Sequence, residues 1–175
     1  CCGDDQAVTY STRDSLTVPF YQYANLVGPG YHYSRDPASA AYLSQRYDGP
    51  IAYVYSLSQP GTVPLYQYAN FVNPGYYYST TNTPTTSTWR NDGVVAWVYP
   101  ISGGPTGTVP LYQYTNRLGP GYQYRITNTP TDSTWLNYGI VAYVYPSMNY
   151  ITEPYTTRSA NSDYPSGIET FNDFN

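Results

Sequence analysis

The segment Val63-Pro64-Leu65-Tyr66-Gln67-Tyr68-Ala69-Asn70 is preceded by Val18-Pro19-Phe20-Tyr21-Gln22-Tyr23-Ala24-Asn25. It is followed by Val109-Pro110-Leu111-Tyr112-Gln113-Tyr114-Thr115-Asn116. Each copy continues into a Pro-Gly-Tyr turn at Pro29-Gly30-Tyr31, Pro74-Gly75-Tyr76 and Pro120-Gly121-Tyr122. Each closes on an apolar run: Ile51-Ala52-Tyr53-Val54-Tyr55, Val95-Ala96-Trp97-Val98-Tyr99 and Val141-Ala142-Tyr143-Val144-Tyr145. One such unit cannot bury its own apolar face, so the copies must pack on one another. A three-fold architecture follows.

Within a copy the residues alternate with period two. Leu65 and Gln67 fall on one face and Tyr66 and Tyr68 on the other, the pattern of a strand. The prolines lie near the strand start, where a missing N–H is tolerated. A second strand follows the glycine turn, making a hairpin. A short third element is expected around Trp89 and Trp135. The apolar runs form a fourth, entered through turns at Asp48-Gly49, Asp92-Gly93 and Tyr138-Gly139. No stretch has sustained helical periodicity. Four short strands in three copies predict an all-β chain, a β-trefoil with pseudo-three-fold symmetry, and a β-prism is the runner-up. The predicted domain spans residues 18–145, with repeats at 18–55, 63–99 and 109–145. Residues 1–17 are an N-terminal extension and 146–175 a C-terminal tail. Leu65, Leu111, Val54, Val98, Val144, Ala52, Ala96 and Ala142 are the expected core.

Composition limits the functions open to this chain. Only 10% of its 175 residues are charged, no lysine is present, and the net charge is −4. There is no basic stripe to neutralise phosphates, which argues against nucleic acid as a partner. Tyrosine contributes 25 residues, each with an apolar body and a polar tip suited to a core edge or a wet binding face. No segment is apolar enough to cross a membrane as a helix.

At the repeated motifs the chain resembles a secreted repeat family of bacteria and fungi. That family has the pattern V-P-L-Y-R-Y-Y-N, then G-D-H-F-Y-T, then G-Y-x-x-E-G-I-A-x-Y-V-F. The resemblance implies an extracellular module with a lectin-like β-trefoil role. Gln22, Gln67 and Gln113 stand where the family has arginine, and only His32 keeps the histidine, with Tyr77 and Gln123 at its counterparts. Tyr47-Asp48, Asn91-Asp92 and Asn137-Tyr138 replace the glutamate before the last glycine.

Catalysis finds little to work with. One histidine and two adjacent cysteines cannot build a zinc site, and no cofactor or metal is expected. His32 has no matched nucleophile. Asp48 and Asp92, as copies on different lobes, are not placed as a glycosidase pair. The chain therefore reads as non-enzymatic.

Two binding classes remain. Trp89 with Asn91 and Asp92, Trp135 with Asn137, and His32 supply aromatic and polar groups of the kind that hold a sugar; the reading favoured for the two tryptophans is that they plug the bottom layer of the domain core, as buried large aromatics commonly do. Asn25, Asn70 and Asn116 fit turn positions. The second class is a structural subunit of an extracellular or cell-surface assembly, fibre-like, whose partners are copies of itself. Cys1 and Cys2 have no third cysteine to pair with, which predicts an intermolecular disulfide; a vicinal bridge and lipidation of Cys1 are the alternatives. A processed N-terminus is expected. The tail carries Tyr155, Tyr164, Phe171 and Phe174 among polar residues, anchors suited to pockets on a neighbour. Thr81, Thr83, Thr85, Thr86, Thr129 and Thr131 lie in threonine-rich segments resembling O-glycan acceptors. Assembly is the leading functional expectation, and a lectin-like carbohydrate-binding module is the alternative.

Overall fold

The computed structural model describes residues 17–28, 30–37, 45–73 and 75–148. Cys1, Cys2 and the tail aromatics Tyr155, Tyr164, Phe171 and Phe174 lie outside the described residues, as do the expectations placed on them. The described chain is all-β, with no helix among the described residues. The first copy supplies β1 (Val18–Asn25), β2 (Tyr31–Ser34) and β3 (Gln45–Val54). The second supplies β4 (Val63–Asn70), β5 (Tyr76–Ser79) and β6 (Trp89–Val98), and the third β7 (Val109–Asn116), β8 (Tyr122–Arg125) and β9 (Trp135–Val144). They form three antiparallel sheets of three strands, ordered β2-β1-β3, β5-β4-β6 and β8-β7-β9.

Each copy therefore has three strands and not four. The element expected around Trp89 does not end before the apolar run but continues through it as one strand of ten residues. The Asp-Gly pairs are not turns. Along β4, Leu65 faces Ala96 but Tyr66 faces Val94, and Gln67 faces Gly93 but Tyr68 faces Asn91. Val95 and Asp92 are thus the extra residues of two β-bulges, which bend the long strand without ending it. Ile51 and Asp48 hold the same places in β3, and Val141 and Tyr138 in β9. Gly49, Gly93 and Gly139, each next to a bulged residue, have φ of 101°, 89° and 119°, a region that a side chain rarely adopts.

The core is made of residues in sets of three. Phe20, Leu65 and Leu111 pack with Ala52, Ala96 and Ala142, with Val54, Val98 and Val144, and with Tyr33, Tyr78 and Tyr124. All eight residues expected in the core are buried. The alternation also holds: Leu65 joins this core and Gln67 reaches it through Tyr78, while Tyr68 faces the other way. Tyr68 is buried too, because its ring stacks on Tyr77 at 4.4 Å and its hydroxyl donates to the Thr81 carbonyl at 2.6 Å.

The three tyrosines at the centre close a ring of hydrogen bonds across the repeats. The Tyr33 N–H donates to the Tyr78 hydroxyl at 2.8 Å, the Tyr78 N–H to the Tyr124 hydroxyl at 2.7 Å, and the Tyr124 N–H to the Tyr33 hydroxyl at 2.7 Å. Each hydroxyl in turn donates to the glutamine Oε1 of its own copy: Gln22 at 2.9 Å, Gln67 at 3.0 Å and Gln113 at 3.1 Å. The rings meet edge to face, with centroids 5.2–5.4 Å apart, an arrangement worth about 0.5–1.5 kcal/mol per pair beyond burial. Tyr55, Tyr99 and Tyr145 form a second edge-to-face trio with centroids 6.1–6.2 Å apart. Backbone bridges Tyr53–Tyr145, Tyr55–Trp97 and Tyr99–Tyr143 join each copy to the other two. One lobe cannot stand without its neighbours, because the polar groups of each are satisfied by another.

Candidate functional site

The repeats meet at three clefts built from equivalent positions. The first lies between copies one and two and has a volume of about 710 Å³, lined by His32, Arg35, Asp36 and Gln45 on one side and by Tyr76 and Asp92 among others on the opposite side. The second, between copies two and three, measures about 290 Å³. The third, between copies three and one, measures about 380 Å³. The copies differ at one position on these boundaries. Strand pairing puts Gln45, Trp89 and Trp135 in register with Asn25, Asn70 and Asn116, so the three are equivalents.

Trp89 lies edge-on to Tyr77 at 4.6 Å and 6.1 Å from Tyr122 of the next copy, and these rings line the second cleft. Trp135 is buried, with Tyr31 of the first copy 5.7 Å away. Both tryptophans pack across a boundary between repeats, Trp135 buried and Trp89 half-buried in the wall of the second cleft. In the first cleft the smaller Gln45 takes that place. His32 lies over Tyr76 of the second copy at 4.6 Å and 33°, and its Nδ1 is 3.3 Å from Gln45 Oε1. Burial pushes the His32 imidazole below its usual pKa, opposed by its hydrogen bonds to Gln45 and Gln67 and by the charge of Asp92. The ring is therefore neutral at neutral pH. Arg35 spans the cleft, its Nε donating to the Val95 carbonyl at 2.6 Å.

Asn91 and Asn137 have internal work. Asn91 Nδ2 donates to Asn82 Oδ1 at 2.9 Å and to the Thr83 carbonyl at 2.8 Å, and its Oδ1 accepts the Gly93 N–H at 2.8 Å. Asn137 repeats this with Asn128 at 2.6 Å and Gly139 at 2.9 Å. Both hold the threonine-rich loops on their bulged strands. Asp92 accepts from Gln67 Nε2 at 2.8 Å and from Arg90 Nε at 2.5 Å. Asp48 does the same with Gln22 at 2.9 Å and Arg46 at 2.8 Å. A chain of bonds thus runs from the central tyrosine through glutamine to aspartate and arginine in two copies. In the third copy Tyr138 and Leu136 stand in place of the last two.

Thr81, Thr83, Thr85, Thr86, Thr129 and Thr131 are all exposed. Thr85 Oγ1 accepts the Asn91 N–H at 3.0 Å, Thr86 Oγ1 the Trp89 N–H at 3.0 Å, and Thr131 Oγ1 donates to Gln123 at 3.2 Å. Asn25, Asn70 and Asn116 each accept the N–H two residues on, at 3.0, 2.8 and 2.8 Å. They are turn residues, as expected. Their turns lift Leu26, Val27, Phe71, Val72 and Leu118 into solvent, with Val27 and Val72 each 76% exposed and Leu118 83%. The first two tips share a groove of about 370 Å³ lined by Val27 and Phe71.

Sequence reasoning missed Gln45, Arg35 and Tyr76, and with them the open cleft. The available signal was the mismatch of Gln45 with Trp89 and Trp135 in otherwise parallel copies. No group of three histidine, cysteine, aspartate or glutamate side chains among the described residues could hold a metal ion. No described helix is long and apolar enough to cross a membrane. Compared with known proteins, the chain matches no family model, no curated protein and no solved structure.

Proposed function

We propose that this chain is a non-enzymatic, secreted β-trefoil-like building block of an extracellular assembly whose partners are copies of itself. The observation that carries this reading is the distribution of side chains. Many of the polar groups that could serve a reaction are engaged inside the domain, at Asp48, Asp92, Asn91, Asn137 and the central glutamines. Five large apolar side chains stand exposed at equivalent hairpin tips. Large exposed apolar side chains cost nothing to the fold when removed and gain by being covered, so such tips suit contact with a neighbour. Cyclic hydrogen bonding makes the domain a stiff unit of the kind a fibre needs.

Electron microscopy and light scattering of the purified full chain test this. Ordered polymers or defined oligomers are expected. The variant Leu26→Asp, Phe71→Asp, Leu118→Asp should disperse them, with a melting temperature within a few degrees of wild type, since surface changes usually stay within about 0.5 kcal/mol each. A wild-type chain that stays monomeric at high concentration, with and without reductant, sinks the assembly reading.

A second reading, lectin-like carbohydrate binding, is favoured by one observation: the first cleft is open and lined by aromatic and hydrogen-bonding groups together. The two readings are compatible on one chain.

A further inference from the structure

We infer that the cleft between the first and second repeats is a single binding site for a neutral sugar unit of a glycan, an inference that rests on the carbohydrate-binding reading. Three-fold repetition would ordinarily give three equivalent sites. Here the second cleft is walled by the rings of Tyr77, Trp89 and Tyr122 and is reduced to about 290 Å³. The third, about 380 Å³, is lined by Tyr31 and by Thr131 and Gln123, which are hydrogen-bonded to each other, and Trp135 is buried against Tyr31 and outside that lining. Only in the first does glutamine stand where the other copies carry tryptophan, and its volume of about 710 Å³ exceeds the third's 380 Å³ and the second's 290 Å³.

The lining selects the ligand class. His32 lies over Tyr76 at 4.6 Å, and the stacked pair lines the cleft as an aromatic wall for the apolar C–H groups of a pyranose. Around them stand the carboxylate of Asp36, the guanidinium groups of Arg35 and Arg90 and the amide of Gln45, while Asp92 and Gln67, also in the lining, are bonded to each other and to Arg90 and Tyr78. Carboxylates accept from hydroxyls, guanidinium groups donate to them, and paired acceptors and donors at fixed spacing suit vicinal diols. Two acids against two bases leave the cleft without net charge, so an anionic ligand gains nothing there, and the neutral His32 ring adds no cation. Aromatic face plus polar rim, without net charge, is the chemistry that recognises a neutral hexose.

The test uses the full chain and a panel of labelled neutral oligosaccharides (gluco-, galacto- and manno-configured), with uronic-acid oligosaccharides alongside, read by thermophoresis and by chemical-shift perturbation of His32. At least one neutral member should bind and shift the His32 ring signals. Gln45→Trp, which gives this copy the tryptophan that the other two carry at the equivalent position, should abolish that binding while the domain stays folded. Asp36→Asn, on an exposed residue, should weaken it about tenfold, the size of one charge-assisted hydrogen bond. Binding that survives Gln45→Trp would leave the carbohydrate-binding reading standing and overturn this site. Preference for the uronic-acid members overturns the neutral class, and no binding across the panel overturns both the site and the reading beneath it.

Discussion

Replacing Tyr78 by phenylalanine is expected to destabilise the domain by about 1–3 kcal/mol, although the ring, its packing and its burial are all kept. The hydroxyl removed is the acceptor for the Tyr33 N–H and the donor to Gln67 Oε1. Tyr33 is fully buried, so its N–H has no water to turn to, and a buried donor left unmade costs its full desolvation. Thermal melts followed by circular dichroism should show a loss of about 2–4 °C per kcal/mol for a chain of this size. The same change at Tyr138, which is exposed at the position Asp48 and Asp92 hold in the other copies, should leave the melting temperature unchanged. Combining Tyr33→Phe, Tyr78→Phe and Tyr124→Phe orphans three buried N–H groups in three lobes at once. The sum, roughly 3–9 kcal/mol, is comparable with the whole stability of a typical domain, and the triple variant should fail to fold. A Tyr78→Phe protein that melts with wild type would show that the ring of hydrogen bonds contributes nothing.

Much of the fold could be read from sequence because the information came three times. Phe20, Leu65 and Leu111 occupy one position of the repeat, and so do Val54, Val98 and Val144; core positions declare themselves by staying apolar in every copy. Strand count was harder. Asp92-Gly93 has the composition of a turn, and whether a glycine with positive φ reverses the chain or only bulges it is decided by the strand alongside. Here β4 runs on past Gly93 to Asn70 in register with Trp89, so the chain bends and continues. The expected site was less legible for a related reason. Asn91 and Asn137 have the chemistry of sugar ligands, but Asn82, Thr83 and Asn128 claim them first. His32 and Tyr76 are far apart in sequence, and their meeting depends on how one repeat seats on the next, which no period-two pattern records. What was visible, in principle, was a broken repeat: a glutamine at 45 where the copies carry tryptophan.

Alkali should unfold this domain in one cooperative step well above the pH at which its exposed tyrosines ionise. Burial, first among the causes, raises Tyr33, Tyr78 and Tyr124 well above the usual phenol range. In the second trio, burial and the hydrogen bond to Tyr55 push Tyr99 up to about 12, and Tyr145 is raised as well. In the unfolded chain these phenols ionise near pH 10. Below that pH both states keep the protons and the full stability is present. Above it the unfolded chain sheds protons that the folded chain retains, so stability falls as pH rises until the folded groups themselves ionise. Three fully protected phenols remove about 4 kcal/mol per pH unit, enough to exhaust a stability of roughly 5–15 kcal/mol within a few units. Phenolate absorbance should rise in two parts: a broad, reversible fraction near pH 10 from exposed rings, then a steep rise coincident with loss of the near-ultraviolet circular dichroism. Tyr124→Phe separates this mechanism from simple charge repulsion, because it should lower the midpoint and also make the pH dependence of stability shallower by about one third of the contribution of the central trio. A single broad phenolate titration near pH 10 with the circular dichroism intact would refute the protection assigned to these hydroxyls.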